Sequence, residues 1–198
     1  MSALWPYKTP GIPDRLFQQL PGIPLTPREV RLLVIGSLQL QPTAQLWDIG
    51  AGTGTVAIEA ALLCPAGQIT AVERDEEVAN LIKTNCDRFN TQNVEVVSGN
   101  APECLHHITG HPNCILIEGA PLQSTLKTAW EQLTLNGRIV ITANNLETLH
   151  TASETLSALH ARNIEVAQPI VNRLETRGNR QIFRAVDPIF IVSGNKLE

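Results

Sequence analysis

Along most of the chain, short apolar runs alternate with longer segments whose apolar residues recur every three or four positions. The runs at 45–49, 68–72, 94–97, 114–117 and 138–142 predict strands. The segments at 27–38, 55–64, 75–89, 102–107, 123–133 and 147–162 predict helices. Val78, Leu81, Ile82, Cys86 and Phe89 make one helical stripe. The runs around Ile69–Val72, Ile115–Ile117 and Ile139–Ile141 are continuously apolar, as strands covered on both faces should be. Repeated strand–helix units predict an α/β fold, a doubly wound and mostly parallel sheet with right-handed crossovers.

Both ends depart from this pattern. The first 25 residues are rich in Pro and Gly, with turns expected at Gly11-Ile12-Pro13-Asp14 and Pro21-Gly22-Ile23-Pro24. Ile12, Leu16, Phe17, Leu20, Ile23 and Leu25 give this extension, 1–25, an apolar side that can pack on the domain or on a neighbouring subunit. Thr26 is placed to cap the first helix, with Pro27 at its first position and Glu29 three residues after the cap. At the other end, 164–176 and 182–192 read as two strands joined through Arg177-Gly178-Asn179 with no helix between, an antiparallel hairpin closing a seven-stranded sheet. The domain proper is expected to span 26–198.

Composition narrows the class. The chain has 198 residues, 43% of them apolar and 17% charged, which suits one globular core. No apolar run approaches the ~20 residues of a membrane span, and the N-terminus lacks a signal-peptide pattern. A net charge of −4 argues against non-specific nucleic-acid binding. Cys64, Cys86, Cys104 and Cys114 form no C-x-x-C pair and read as free, mostly buried thiols, so a cytoplasmic setting is expected. The run Cys104-x-His106-His107 with His111 matches no zinc spacing, and no metal is expected.

Ligands of such sheets bind beyond the C-terminal ends of the strands, where strand order reverses. Four strand ends carry candidate chemistry. The first is Asp48-Ile49-Gly50-Ala51-Gly52-Thr53-Gly54, in which glycines permit positive φ and close approach of a ligand, and a helix begins directly afterwards. The second is Glu73, whose carboxylate can accept both hydroxyls of a ribose. The third is Asn100-Ala101, with polar atoms for an adenine edge. The fourth is Glu118-Gly119-Ala120-Pro121, facing the substrate side. The spacing G-x-G-x-G, rather than the G-x-G-x-x-G of dinucleotide sites, with Glu73 and a polar third strand end, describes an S-adenosylmethionine site. Asp48 would lie near the ammonium of the cofactor tail. Arg15, Arg28 and Arg31 near the first helix, and Arg173, Arg177, Arg180 and Arg184 in the hairpin, are candidates for carboxylate recognition or a solvated basic edge. Asn144, Asn145 and His150 follow the fifth strand, where the asparagines orient substrate or cap the next helix.

The chain resembles the decarboxylating precorrin methyltransferases of cobalamin biosynthesis, the module that methylates carbon 15 and removes the carboxyl of the ring-C acetate. The resemblance rests on Gly11-Ile12-Pro13-Asp14, Pro24-Leu25-Thr26 with Glu29 and Arg31, Trp47 through Gly54, Ile58-Glu59-Ala60-Ala61 and Ala71-Val72-Glu73-Arg74-Asp75. It continues through Asn93–Val97, Ala101-Pro102-Glu103, Leu146-Glu147-Thr148-Leu149 and Pro188 to Gly194. It implies a class I methyltransferase fold, a precorrin or cobalt-precorrin (tetrapyrrole) substrate and often a homotetramer, with no nucleic-acid or membrane partner. It also implies cofactor contacts at Thr26, Gly50 through Gly54, Glu73 and Ala101. Related proteins are often fused to a methylase for carbon 5, here expected as a separate partner. The family usually has Asp at the position of Asn100 and Gly-Gly where this chain has Glu118-Gly119.

The resulting expectation is S-adenosylmethionine-dependent C-methylation, with Arg15, Arg31, Glu118, Asn144 and Asn145 as substrate-side candidates. No catalytic triad is expected, because alignment of methyl donor and acceptor carries methyl transfer and the macrocycle itself is the electron sink for decarboxylation. The alternatives are a methyltransferase of another small molecule or of RNA, and a non-catalytic cofactor-binding subunit. An Asn/Asp-Pro-Pro-aromatic box for nucleic-acid methylation is missing at Glu118–Pro121.

Overall fold

The computed structural model describes residues 3–23 and 25–197. Pro24, the last residue of an expected turn and part of the resemblance, lies outside the described residues. Nine strands and five α-helices follow one another as α1 (Arg28–Leu38), β1 (Gln45–Ile49), α2 (Thr55–Leu63), β2 (Gln68–Glu73), α3 (Glu76–Phe89), β3 (Val94–Ser98), β4 (Cys114–Ile117), α4 (Leu122–Gln132), β5 (Arg138–Ala143), α5 (Leu146–Ala158), β6 (Arg162–Ala167), β7 (Asn172–Arg177), β8 (Arg180–Ala185) and β9 (Phe190–Asn195) among the described residues. The order in the main sheet is β3-β2-β1-β4-β5-β9-β6, and β7 pairs only with β8. The five strands from β3 to β5 run parallel, and β9 is antiparallel to both β5 and β6. The expected doubly wound, seven-stranded architecture is therefore present. Strand order reverses beside β1, between β2 and β4.

The sheet's two faces follow from period-two alternation. Leu46, Ile69, Leu116, Val140 and Ile191 join the core built with α1, α2 and α3. Trp47, Ile115, Ile117, Ile139, Ile141 and Val192 point the other way, onto α4 and α5. Helix α2 has buried residues almost all round, from Thr55 to Ala61, consistent with its place between neighbours and sheet. Ile12 and Phe17 of the N-terminal extension are buried in the first core, so that segment packs on this same domain. All four cysteines are free. Burial pushes the Cys114 thiol up to about 12, which leaves it an inert core side chain.

Three sequence expectations shift. Helix α1 starts at Arg28 with no side-chain cap, because the Thr26 hydroxyl is engaged elsewhere, on Glu118. Helix α5 ends at Ala158 rather than 162, since His160 takes a left-handed conformation (φ 58°) that turns the chain into β6. The two expected C-terminal strands are four. Pro169 and Pro188 fall in the breaks, and β7–β8 leaves the sheet as a separate ribbon.

Candidate active site

The loop after β1 is shaped by backbone before any side chain is considered. Gly50 has φ +82°, and a Cβ there would lie 1.8 Å from the carbonyl oxygen of Glu118. Only glycine fits so close to the β4 end. The Gly50 and Ala51 N–H groups donate to the Val72 carbonyl (2.9 and 3.0 Å), Gly54 N–H to Ala51 (2.8 Å), and Gly52 N–H to the Glu73 carboxylate (3.0 Å). These amides therefore hold the loop's shape, instead of standing free for a ligand. Glu73 receives a second N–H from Asp75 (3.1 Å), which orients its carboxylate at the end of β2 while each oxygen keeps accepting capacity. Asp75 caps α3 through Glu77 and Val78 N–H groups.

Two clefts open on either side of this loop. One, of about 550 Å³, is lined by Gly50, Gly52, Glu73, Asn100, Ala101 and Glu118, with Ile49, Val72, Val78 and Pro102 supplying apolar wall. The other, of about 600 Å³, is lined by Leu25, Thr26, Gly50 through Thr53, Glu118, Gln123, Thr142, Asn144, Glu147, Thr148 and Thr151. Glu118, Gly119 and Ala120 border both. A composite crevice of this kind, at the switch point of a parallel sheet, is where such folds take their ligands.

Two carboxyl groups at this junction are held above their ordinary pKa. Glu118 accepts from the Thr26 hydroxyl (3.1 Å) and the Thr142 hydroxyl (3.1 Å). Burial raises its pKa, against the opposing pull of those hydroxyls and of Arg31. Asp48 is 0% exposed, and neither carboxylate oxygen makes a hydrogen bond of normal geometry among the described residues. Burial, then the negative field of Glu118, hold it well above the usual carboxylate range, with the Ala57 N–H partly opposing. Asp48 lines neither cleft; it lies beneath the loop.

Other residues singled out from sequence fall differently. Thr26, Gly50, Ala51, Gly52, Thr53, Glu73, Asn100, Ala101, Glu118 and Asn144 border the clefts. Gly54 starts α2 behind the loop, with a Cβ position 2.8 Å from Ile82. Arg31 is no surface ligand for a substrate. It is 0% exposed, paired with Glu59 (2.6 Å) and Asp14 (3.3 Å), and it donates to the Ile12 and Thr26 carbonyls. Glu59 in turn accepts the Gly11 and Ile12 N–H groups, so this buried cluster fastens the N-terminal extension to α1 and α2. Arg15 is exposed and borders neither cleft. Asn145 caps α5 by accepting the Thr148 N–H (2.8 Å) and borders neither cleft. Arg173 bonds Glu29 and Asp14, while Arg177 and Arg184 approach Glu175 at 3.4 and 3.9 Å. Thr142, Gln123, Thr148 and Thr151 were not singled out. Thr142 ends β5 and could have been read as a strand-end residue; Thr148 and Thr151 share a helix face at i, i+3.

The fold is that of the class I S-adenosylmethionine-dependent methyltransferases. A solved structure described as precorrin-6y C5,15-methyltransferase from Geobacter metallireducens superposes with a TM-score of 0.87 at 32% identity, covering 96% of this chain and 100% of that one. A family model described as the precorrin methyltransferase domain matches residues 19–196. A probable cobalt-precorrin-6B C(15)-methyltransferase (decarboxylating) of Sulfurisphaera tokodaii is 36% identical over 192 residues, 96% of this chain and 99% of that protein. The cobalt-precorrin-6B C(15)-methyltransferase (decarboxylating) of Salmonella typhimurium is 33% identical over 187 residues, 93% and 96% of the two chains. This chain belongs to the precorrin methyltransferase family.

Proposed function

We propose that this protein transfers a methyl group from S-adenosylmethionine to carbon 15 of a late precorrin or cobalt-precorrin and removes the carboxyl of the ring-C acetate, in cobalamin synthesis. The observation that carries the reading is the pair of clefts meeting at Glu118 beside the Gly50–Gly54 loop. It is supported by family membership and by the activity that the relatives' names state.

The residues present fit the cofactor. The smaller cleft offers an oriented carboxylate at Glu73 for a ribose diol, Asn100 for an adenine edge and apolar walls for the ring. Gly50, Ala51, Gly52 and Thr53 border the larger cleft, where the amino-acid tail can lie against the main chain. S-adenosylmethionine, when bound, supplies an electrophilic methyl on a sulfonium. The protein's part is alignment: the loop, Glu73 and the Glu118 strand end hold one reactant, and the larger cleft holds the other. Such positioning supplies up to roughly 7–11 kcal/mol of barrier reduction.

In the larger cleft the described polar side chains are hydroxyls, amides and two glutamates, without Arg or Lys. Thr148, Thr151, Gln123 and Asn144 then serve as neutral donors to the carboxylates of a tetrapyrrole. Homotetramer formation fits the C-terminal ribbon, whose Leu174, Ile182 and Phe183 are 52%, 40% and 73% exposed. A cytoplasmic setting fits four free thiols and helices too short or too polar to cross a membrane among the described residues. A separate carbon-5 methylase completes the chemistry that bifunctional relatives combine.

The test is incubation with methyl-labelled S-adenosylmethionine and a late precorrin, followed by mass spectrometry. One added methyl with loss of carbon dioxide is expected. Cofactor binding with an unchanged tetrapyrrole mass would overturn the reading in favour of a binding subunit, and label transferred to RNA would favour a nucleic-acid methyltransferase.

A further inference from the structure

Glu118 is the first residue after β4, on the junction of the two clefts, with its own carbonyl pressed against Gly50. Its carboxyl is fixed from two sides by neutral donors, the Thr26 hydroxyl from the segment before α1 and the Thr142 hydroxyl from the end of β5. Among the described residues no cation is bonded to it. Arg31, the cation that acts on it from the α1 side, is fully enclosed and already engaged by Glu59, Asp14 and two carbonyls. On the β1 side lies Asp48, enclosed and with no hydrogen bond of normal geometry to either oxygen among the described residues. Beyond it, on β2, Glu73 adds a further negative field to Asp48, and Glu147 of α5 borders the larger cleft. The adjacent strands β2, β1 and β4 thus each bring a carboxyl group here, with Arg31 acting on Glu118 and Arg74 bordering the smaller cleft.

We propose that Glu118 reads the charge of the cofactor, losing its proton to solvent when the sulfonium compound is seated and keeping it when the neutral thioether product is seated. This rests on the reading that S-adenosylmethionine binds at the Gly50–Gly54 loop. The proton balance is simple. A carboxylic acid plus a cation gives a carboxylate–cation pair and one proton released to buffer; no bond to carbon changes. Glu118 is half-buried; burial is the main cause that raises its pKa, and its charge in turn raises that of Asp48. An incoming positive charge offsets both. Once the methyl has left, the sulfur is uncharged, the attraction disappears and the proton returns. Glu118 is in this sense a specificity residue, favouring the reactant form of the cofactor over the spent form.

Calorimetric titration of the full chain with S-adenosylmethionine and, separately, S-adenosylhomocysteine tests this. Each titration is run in two buffers of different ionisation enthalpy, at several pH values from about 5 to about 8. The native protein should release a proton on binding the sulfonium compound and none, or much less, on binding the thioether. Its affinity for the sulfonium compound should rise with pH through this range. Glu118→Gln should bind both ligands, with the ratio of their affinities reduced roughly tenfold, the weight of one screened charge pair, and with flat pH dependence. The native comparison of two ligands stands even if the variant fails to fold. Equal proton release with both ligands, or an unchanged affinity ratio in Glu118→Gln, would overturn the proposal. Failure of the native protein to bind either ligand would instead remove the cofactor reading beneath it.

Discussion

The strand ends at β1, β2 and β4 and the β7–β8 ribbon are built from opposite materials. At the first, backbone amides are consumed by the protein, a glycine meets a carbonyl where no side chain fits, and carboxyl groups sit in low-dielectric surroundings. At the second, every residue of β8 is exposed, and apolar side chains such as Phe183 stand in solvent beside Arg180 and Arg184. The crevice is shaped from within and waits only for a small molecule. The ribbon has a surface that its own chain does not cover. Arg173 ties it to the domain through bonds to Glu29 and Asp14. On the proposed reading, ligand chemistry and assembly chemistry are segregated along the sequence, and substitutions should separate them.

The largest effect is expected at the buried cluster behind the crevice. Arg31→Ala leaves Glu59 enclosed without its counter-ion and should cost about 3–5 kcal/mol in urea unfolding. Arg177→Ala on the ribbon should stay within about 0.5 kcal/mol. Next comes Gly50→Ala, which puts a methyl into the Glu118 carbonyl at a positive φ. Cofactor affinity should fall roughly a hundredfold or more by calorimetry, from loop displacement and about 1–3 kcal/mol of backbone strain. Glu73→Ala removes both the diol acceptor and the partner of Gly52 N–H, and should weaken cofactor binding about tenfold or more. Phe183→Asp should leave cofactor affinity and unfolding almost unchanged while lowering the assembly state seen by sedimentation; an unaltered assembly would detach the ribbon from oligomer formation. The smallest effect concerns pH. Arg173 holds the Glu29 carboxyl below the usual carboxylate range. Its contribution is present above the unfolded-state pKa and lost as pH falls through the lower folded value, so the protection of β7 amides, relative to their intrinsic exchange at each pH, should fall selectively in acid.

The parallel half of the molecule was legible because its strands are continuous apolar runs and its strand ends carry glycine or carboxylates. Glu73, Asn100 and Glu118 could be placed on the crevice from that rule alone. The C-terminal half was less legible. Alternating sequences such as 172–185 read equally as sheet or as free ribbon, and the ribbon's exit depends on breaks near Pro169 and Pro188. The end of α5 was missed because His160 takes a conformation usually reserved for Gly or Asn. Arg31 was misassigned for a different reason: an arginine near a candidate site reads as a ligand until its partners are known. Glu59, Asp14 and the Thr26 carbonyl come together only in three dimensions. Thr26 similarly has the sequence context of a helix cap, yet tertiary contact draws its hydroxyl to Glu118.

The central claim is that one crevice holds the cofactor in the smaller cleft and presents its sulfur to the larger cleft across Glu118. A crystal structure of the protein with S-adenosylhomocysteine tests it most directly. The account predicts ribose hydroxyls on Glu73, adenine against Asn100 and Ala101, the tail over Gly50–Thr53 and the sulfur directed toward the Thr26–Glu118–Thr142 cluster. A nucleoside seated elsewhere, or a sulfur facing away from the larger cleft, would contradict it.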